Sequence, residues 1–211
     1  GETRKVYAAQ PVTVEWENGA KYPAHNWWKP QGNELVTFWR TTPFMIDLNK
    51  DGLTDLVMCD HEGYMALYER FDDNGTLKLK EGQRIFFNED SSPMILAEGT
   101  DPSNGIGTNR QKFVLTDWNG DGKLDMIKND GVSIRYWENI ASAEGTFVFK
   151  DCGTMYNLQI VWHTTSPTVC DWNKDGKPEV LVGAEDGHLY YLSRENSIDD
   201  TALSEHLVAH Y

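Results

Sequence analysis

The sequence predicts an all-β chain made of repeated four-stranded antiparallel meanders, and three observations carry that expectation. One nine-residue pattern, D-x-N-x-D-G-x-x-[DE], occurs three times, as DLNKDGLTD at 47–55, DWNGDGKLD at 117–125 and DWNKDGKPE at 171–179. Each copy lies between short apolar runs. Phe-Met-Ile, Phe-Val-Leu and Pro-Thr-Val precede the three copies; Asp-Leu-Val-Met, Asp-Met-Ile-Lys and Glu-Val-Leu-Val belong to the runs that follow. Turn signals such as His61-Glu-Gly63 and Asp72-Asp-Asn-Gly75 bound these runs, so they read as strands joined by tight connections.

The repeated loop has the chemistry of a cation cradle. Asp47, Asn49, Asp51 and Asp55 offer side-chain oxygens at positions one, three, five and nine, and the carbonyl of Leu53 is the expected ligand at position seven. Such a set suits a hard cation that takes six to eight oxygens, Ca²⁺ rather than Mg²⁺. The second loop supplies Asp117, Asn119, Asp121, Lys123 and Asp125 in the same roles, and the third supplies Asp171, Asn173, Asp175, Lys177 and Glu179. About three Ca²⁺ per chain are therefore expected. An EF-hand starts in the same way but needs Glu at position twelve and flanking helices. Here position twelve is Met58, Lys128 and Val182, and the flanks are strands.

Taken in order, residues 1–40 carry no loop; 12–16 and 34–39 read as strands around a Gly/Pro/Asn-rich stretch with Trp27 and Trp28, a partial blade. Residues 41–110 form the first blade, with strands expected at 43–46, 55–59, 64–70 and near 78–87, followed by a long polar connection over 89–110. Residues 111–162 form the second, with strands at 113–116, 125–128, 133–138 and 146–151. Residues 163–211 hold the third, with strands at 168–170, 179–183 and 189–193, then a polar tail in which 201–210 suits a short helix or a closing strand.

A single meander cannot bury both faces, so the units pack on one another. Radial packing makes a β-propeller, which needs four to eight blades, so the chain is expected to be a segment of a larger propeller or to complete its ring with another copy.

Composition narrows the partners. The chain has 33 carboxylates against 19 Lys and Arg, a formal charge of −14. So acidic a chain is a poor match for nucleic acid. No apolar run is long enough to span a membrane. Cys59, Cys152 and Cys170 are odd in number and not spaced as a zinc site, so buried free thiols are expected. No leader is visible, and Gly1-Glu-Thr-Arg-Lys reads as a processed terminus. Multi-carboxylate calcium loops fill where calcium is plentiful, which points to an extracellular or periplasmic location.

The D-x-N-x-D-G-x-x-D loop between two short strands resembles the FG-GAP, or VCBS-type, repeat of integrin α-subunit propellers and secreted bacterial propellers. The resemblance covers residues 43–195. The strings Trp39-Arg-Thr-Thr-Pro43 and Gly183-Ala-Glu-Asp-Gly187 look like those of bacterial polysaccharide-processing proteins. The resemblance implies loops that stabilise blades rather than catalyse, and a polysaccharide or oligosaccharide as partner. That functional reading is an analogy at the level of fold.

If strand one is innermost, the segments leading into it lie near a central channel, on the face opposite the loops. Those segments hold Trp39 and Arg40, Arg110, and Trp162 and His163. Arg would pair bidentately with a uronate carboxylate and Trp would cover a sugar face. Arg40 and Arg110 have a second reading, as ion pairs between neighbouring blades. The strand two-to-three turns add Asp60, His61, Glu62, Asp130, Glu185, Asp186 and His188. Three functions follow: a glycan-binding propeller; a polysaccharide lyase or glycosidase, with β-elimination using His163 as base the first choice; or an adhesion or protein-interaction propeller.

Overall fold

The computed structural model describes residues 11–16, 30–96, 98–101, 106–108, 112–129, 133–156, 165–184 and 186–194. Among them the regular structure is β throughout. Strand β1 (Val14–Glu15) precedes the first repeat. That repeat forms β2 (Phe44–Ile46), β3 (Asp55–Cys59) and β4 (Met65–Tyr68), paired antiparallel in that order. Next come β5 (Arg70–Asp73), β6 (Thr76–Lys80) and β7 (Phe86–Asn88), then a two-stranded ribbon of β8 (Glu98–Asp101) and β9 (Ile106–Thr108).

The second repeat is a four-stranded meander of β10 (Phe113–Thr116), β11 (Asp125–Asn129), β12 (Ile134–Asn139) and β13 (Phe147–Thr154). The third repeat gives β14 (Ser166–Cys170), β15 (Glu179–Gly183) and β16 (Leu189–Leu192), again antiparallel neighbours. Each D-x-N-x-D-G loop joins strands one and two of its repeat, as the flanking apolar runs require and as an EF-hand would not.

The fourth strand of the first repeat departs from expectation. The stretch near 78–87 returns to β4 only at Gln83, which exchanges backbone hydrogen bonds with Leu67 at 2.8 and 2.9 Å. Asn74 and Gly75, at φ 52° and 88°, close a local β5–β6 hairpin, and β1 pairs parallel to β6. Local closure of the Asp72-Asp-Asn-Gly75 turn wins over a longer return. β7 instead adds parallel to β13 of the second repeat. Phe86 explains the choice: it is fully buried with its ring centroid 5.0 Å from that of Phe147. The edge of β4 is met by single bridges, Leu67 to Gln83 and Tyr64 to Ile95.

Strand alternation sends successive side chains to opposite faces, so each repeat contributes to two apolar layers. Met58, Ala66 and Tyr68 of the first repeat pack with Val14 of β1 and Leu79 of β6. Val57, Cys59, Met65 and Leu67 point the other way, onto Phe113, Leu115, Met126, Phe147 and Phe149 of the second. The far face of the second repeat, Val114, Ile127 and Ile134, packs on Val180, Val182 and Leu192 of the third. The repeats are therefore propeller-type blades stacked through shared cores.

The three cysteines are free thiols, but only Cys59 is buried; Cys152 and Cys170 are half-buried, because they stand on sheet faces outside the blade cores.

Candidate metal centre and the opposite face

The three loops adopt one geometry, written by short-range hydrogen bonds. At position one, Asp47 accepts the N–H groups of Asp51 (3.1 Å) and Gly52 (3.0 Å), and Asp171 those of Asp175 (3.0 Å) and Gly176 (3.1 Å). Asp117 accepts from Gly120 (2.8 Å) and Gly122 (3.0 Å). At position three, Asn49, Asn119 and Asn173 accept the position-five N–H at 3.0, 2.9 and 2.9 Å. At position five, Asp51, Asp121 and Asp175 accept the N–H of Leu53, Lys123 and Lys177 at 2.8, 2.9 and 2.8 Å.

The backbone is left-handed twice in each loop. Position six is Gly52, Gly122 or Gly176, at φ 88°, 85° and 84°, where glycine carries no steric penalty. Position four is Gly120 in the second loop but Lys50 and Lys174 in the others, at φ 61° and 64°. Two non-glycine residues held in this region are strained, and the cradle around them maintains it.

Position nine is the buried anchor. Asp55, Asp125 and Glu179 open strand two of each blade and are essentially inaccessible. Asp55 accepts from Leu48 N–H (3.0 Å) and, across the sheet, from Arg70 N–H (2.9 Å). Asp125 accepts from Trp118 N–H (3.1 Å), Asn139 N–H (2.8 Å) and the Tyr136 hydroxyl (3.0 Å). Burial pushes the Asp125 carboxyl above the usual carboxylate range, with these donors opposing. Glu179 accepts from Trp172 N–H (2.7 Å).

One methylene separates the loops. The longer Glu179 side chain reaches into its loop, and one oxygen each of Asp171, Asp175 and Glu179 lies within 4.8 Å of the others. Among the described residues this is the group of three acidic side chains that converges so closely. The donors are all oxygens, the set a hard cation takes, so the residues fit calcium. In the second loop the Lys123 N–H and ammonium hold Asp121 below the usual carboxylate range, and Lys123 Nζ stands 3.4 Å from its Oδ2. Loops one and two face each other across a groove of about 450 Å³ that the β12–β13 connection completes.

Position two separates the loops as well. Tryptophan stands there in loops two and three, but only Trp118 packs between blades: it is buried against the third blade beneath the Arg194 guanidinium. Trp172 is 60% exposed, because among the described residues no further blade lies beyond the third.

At the opposite ends of the strands, the turn 60–64 is clamped by a residue the sequence did not single out. Arg84 pairs with Asp60 (Nε to Oδ2, 2.7 Å) and with Glu62, and lies 3.9 Å over the Tyr64 ring. The Arg84 hydrogen bond holds the Glu62 carboxyl below its usual range, against a burial effect. Asp186 is likewise held low by the Tyr190 hydroxyl and the His188 N–H. Both shifts run opposite to what a general acid needs. Arg84 is twenty-odd residues from the turn it clamps, and no motif signals such a pairing.

Trp39 and Arg40 stand exposed just before β2, the guanidinium 4.2 Å over the indole and Arg40 itself at φ 61°. Arg110, Trp162 and His163, their expected companions, lie outside the described residues, as do Asp130 and Glu185.

Comparison with curated proteins and with solved structures gives no match for the chain. Residues 117–182 match the family model described as an FG-GAP-like repeat. That span begins on the first aspartate of loop two, contains all of loop three and ends within β15. FG-GAP repeats are units of β-propeller-like interaction or adhesion domains. The part of the chain that carries loops two and three and the sheet between them is an FG-GAP-like repeat.

Proposed function

We propose that the chain is a calcium-stapled β-propeller portion of an extracellular glycan-binding protein. The convergence of Asp171, Asp175 and Glu179 on one point carries the calcium reading. Bound there, calcium would tie loop three to the start of β15 through charge the chain already holds in place. Asp171, Asn173 and Asp175, with the carbonyl of Lys177 and the carboxylate of Glu179, would hold it. Loops one and two share the cradle but fasten their position-nine aspartate to a second N–H, so their affinity is expected to be lower.

The glycan reading rests on Trp39 and Arg40: an exposed indole for a sugar face, and a cation for a uronate carboxylate. A catalytic version depends on His163 and takes no support from Glu62 or Asp186, whose shifts are downward. An adhesion or protein-interaction role is the second reading, favoured by the repeat type and by the exposed apolar face of the third blade.

Metal analysis with thermal unfolding before and after chelation tests the staple. The expected result is bound calcium and a fall in melting temperature on chelation, since a ligand held only by the folded state raises its stability. No bound calcium and no change on chelation would overturn it. Retention on uronate polymers tests the glycan site: Trp39→Ala with Arg40→Ala should lose it, and unchanged retention would sink that site.

A further inference from the structure

We infer that Lys123 is a tethered counter-ion that sets the calcium affinity of loop two, so that loop two fills after loop one although both offer the same ligand types. The inference rests on the calcium reading above and names the side chain that regulates it. Position seven is lysine in loops two and three and Leu53 in loop one. Only the carbonyl of that residue belongs to the expected ligand set, so its side chain acts on the loop from outside.

In loop two that side chain turns back on the loop. Lys123 Nζ lies 3.4 Å from Asp121 Oδ2 and donates to the Asn139 carbonyl at 3.4 Å. Asn139 is a rigid acceptor. It is buried, its N–H donates to Asp125 Oδ1 (2.8 Å), and its side-chain oxygen accepts the N–H groups of Ala141 (3.2 Å) and Val148 (3.3 Å). The ammonium is thus held between position five of the loop and a residue bonded to position nine. It puts a positive charge beside the carboxylates that a cation needs. Filling the loop breaks this contact and leaves the ammonium next to a divalent cation, so the charge stabilises the empty loop and opposes the filled one.

The other loops lack this arrangement. The second residue of strand two pairs with Tyr68, Trp137 and Leu192 in the three blades, so Arg70 and Arg194 hold the places that correspond to Asn139. The Arg70 N–H bonds to Asp55 as the Asn139 N–H bonds to Asp125, but position seven there is uncharged. Loop one is therefore the internal control: same ligand types, same position-nine anchor, no tethered ammonium. In loop three Lys177 meets Asp175 through its backbone N–H (2.8 Å) and makes no ion pair with it among the described residues. Arg194 is turned away, onto the Trp118 ring. The contact on Asp121 is partly exposed, with 43% of the Lys123 side chain in water, which limits its effect on affinity to about two- to fivefold.

Calcium titration of the full chain by NMR tests it, with the amides of Gly52, Gly122 and Gly176 at position six as separate probes of the three loops. Gly122 should shift at higher calcium than Gly52. Lys123→Gln should tighten the Gly122 site about two- to fivefold and leave the Gly176 site unchanged, and the gain should shrink with added salt. Lys123→Arg, which keeps the charge, should not tighten it. Melting supplies a second readout: Lys123→Gln should lower Tm in chelator and recover it in saturating calcium. If no glycine shifts with calcium, the calcium reading fails and the inference with it. If the glycines shift but Lys123→Gln leaves the Gly122 site unchanged or weaker, the inference alone is overturned.

Discussion

The Arg194 guanidinium lies over the Trp118 ring, 4.8 Å from its centroid, so the residue that leaves the third blade caps the second blade's D-x-N-x-D-G loop. The Tyr156 hydroxyl reinforces the seam, bonding to the Leu192 and Ser193 carbonyls at 3.3 Å. Loop two is thus part of an inter-blade core, whereas the same position in loop three faces outward.

Trp118→Ala is expected to cost about 3–5 kcal/mol, the range for emptying a buried aromatic site. Trp172→Ala should cost less than about 1 kcal/mol for the monomer, because its ring is already largely in water. Chemical unfolding of both variants at low protein concentration checks the contrast; equal losses would contradict the blade order.

Glu179→Asp shortens the one side chain that reaches into loop three. The fold should persist, since Asp opens the corresponding strand in the other two blades. Calcium affinity at loop three should fall at least about tenfold. Isothermal titration reads this directly, and an unchanged affinity would show that the added methylene is not what sets the third loop apart.

Lys174→Gly relieves a left-handed position that Gly120 occupies freely in the second loop. Stability should change by about +0.5 to +1 kcal/mol, strain relief being partly offset by the greater freedom of glycine in the unfolded chain. Gly176→Ala, at φ 84°, should be destabilising by at least about 1 kcal/mol. Melting of the two variants in chelator separates backbone strain from metal binding.

The clamp on turn 60–64 should register with pH. Arg84 lowers the folded-state pKa of Glu62, so the pair's stabilisation is fully present above the unfolded value of about 4.3. It is lost as pH falls through the lower folded value. Both side chains are about a third exposed, so the contribution is screened and below about 1 kcal/mol. Arg84→Met should flatten the stability profile in that acid window. It should also lower stability at pH 7, because Asp60 is buried and loses its charged partner. Urea unfolding at a series of pH values reads both effects.

The parts of the molecule legible in the sequence are those written by neighbours. Asp47, Asn49, Asp51 and Gly52 hydrogen-bond within a few residues of one another, so their pattern dictates the loop wherever it occurs. The same holds for the strands on either side, whose apolar runs are local, and for the exclusion of an EF-hand by Met58, Lys128 and Val182. The second blade follows its expected order for this reason.

Only tertiary structure decided what depends on distant partners. How much of 78–87 returned to β4 was a contest between the Asn74-Gly75 hairpin and a longer loop; Gln83 alone bridges to Leu67, and Phe86 is drawn to Phe147 some sixty residues on. Arg84 could reach Asp60 only once the fold brought them together. Trp118 and Trp172 sit in nearly identical strings, yet one is core and the other surface, because burial belongs to the layer that covers a side chain and not to the string that contains it. The sequence by itself determined three loops between strands; the packing of one blade on the next determined which were covered and which was left open.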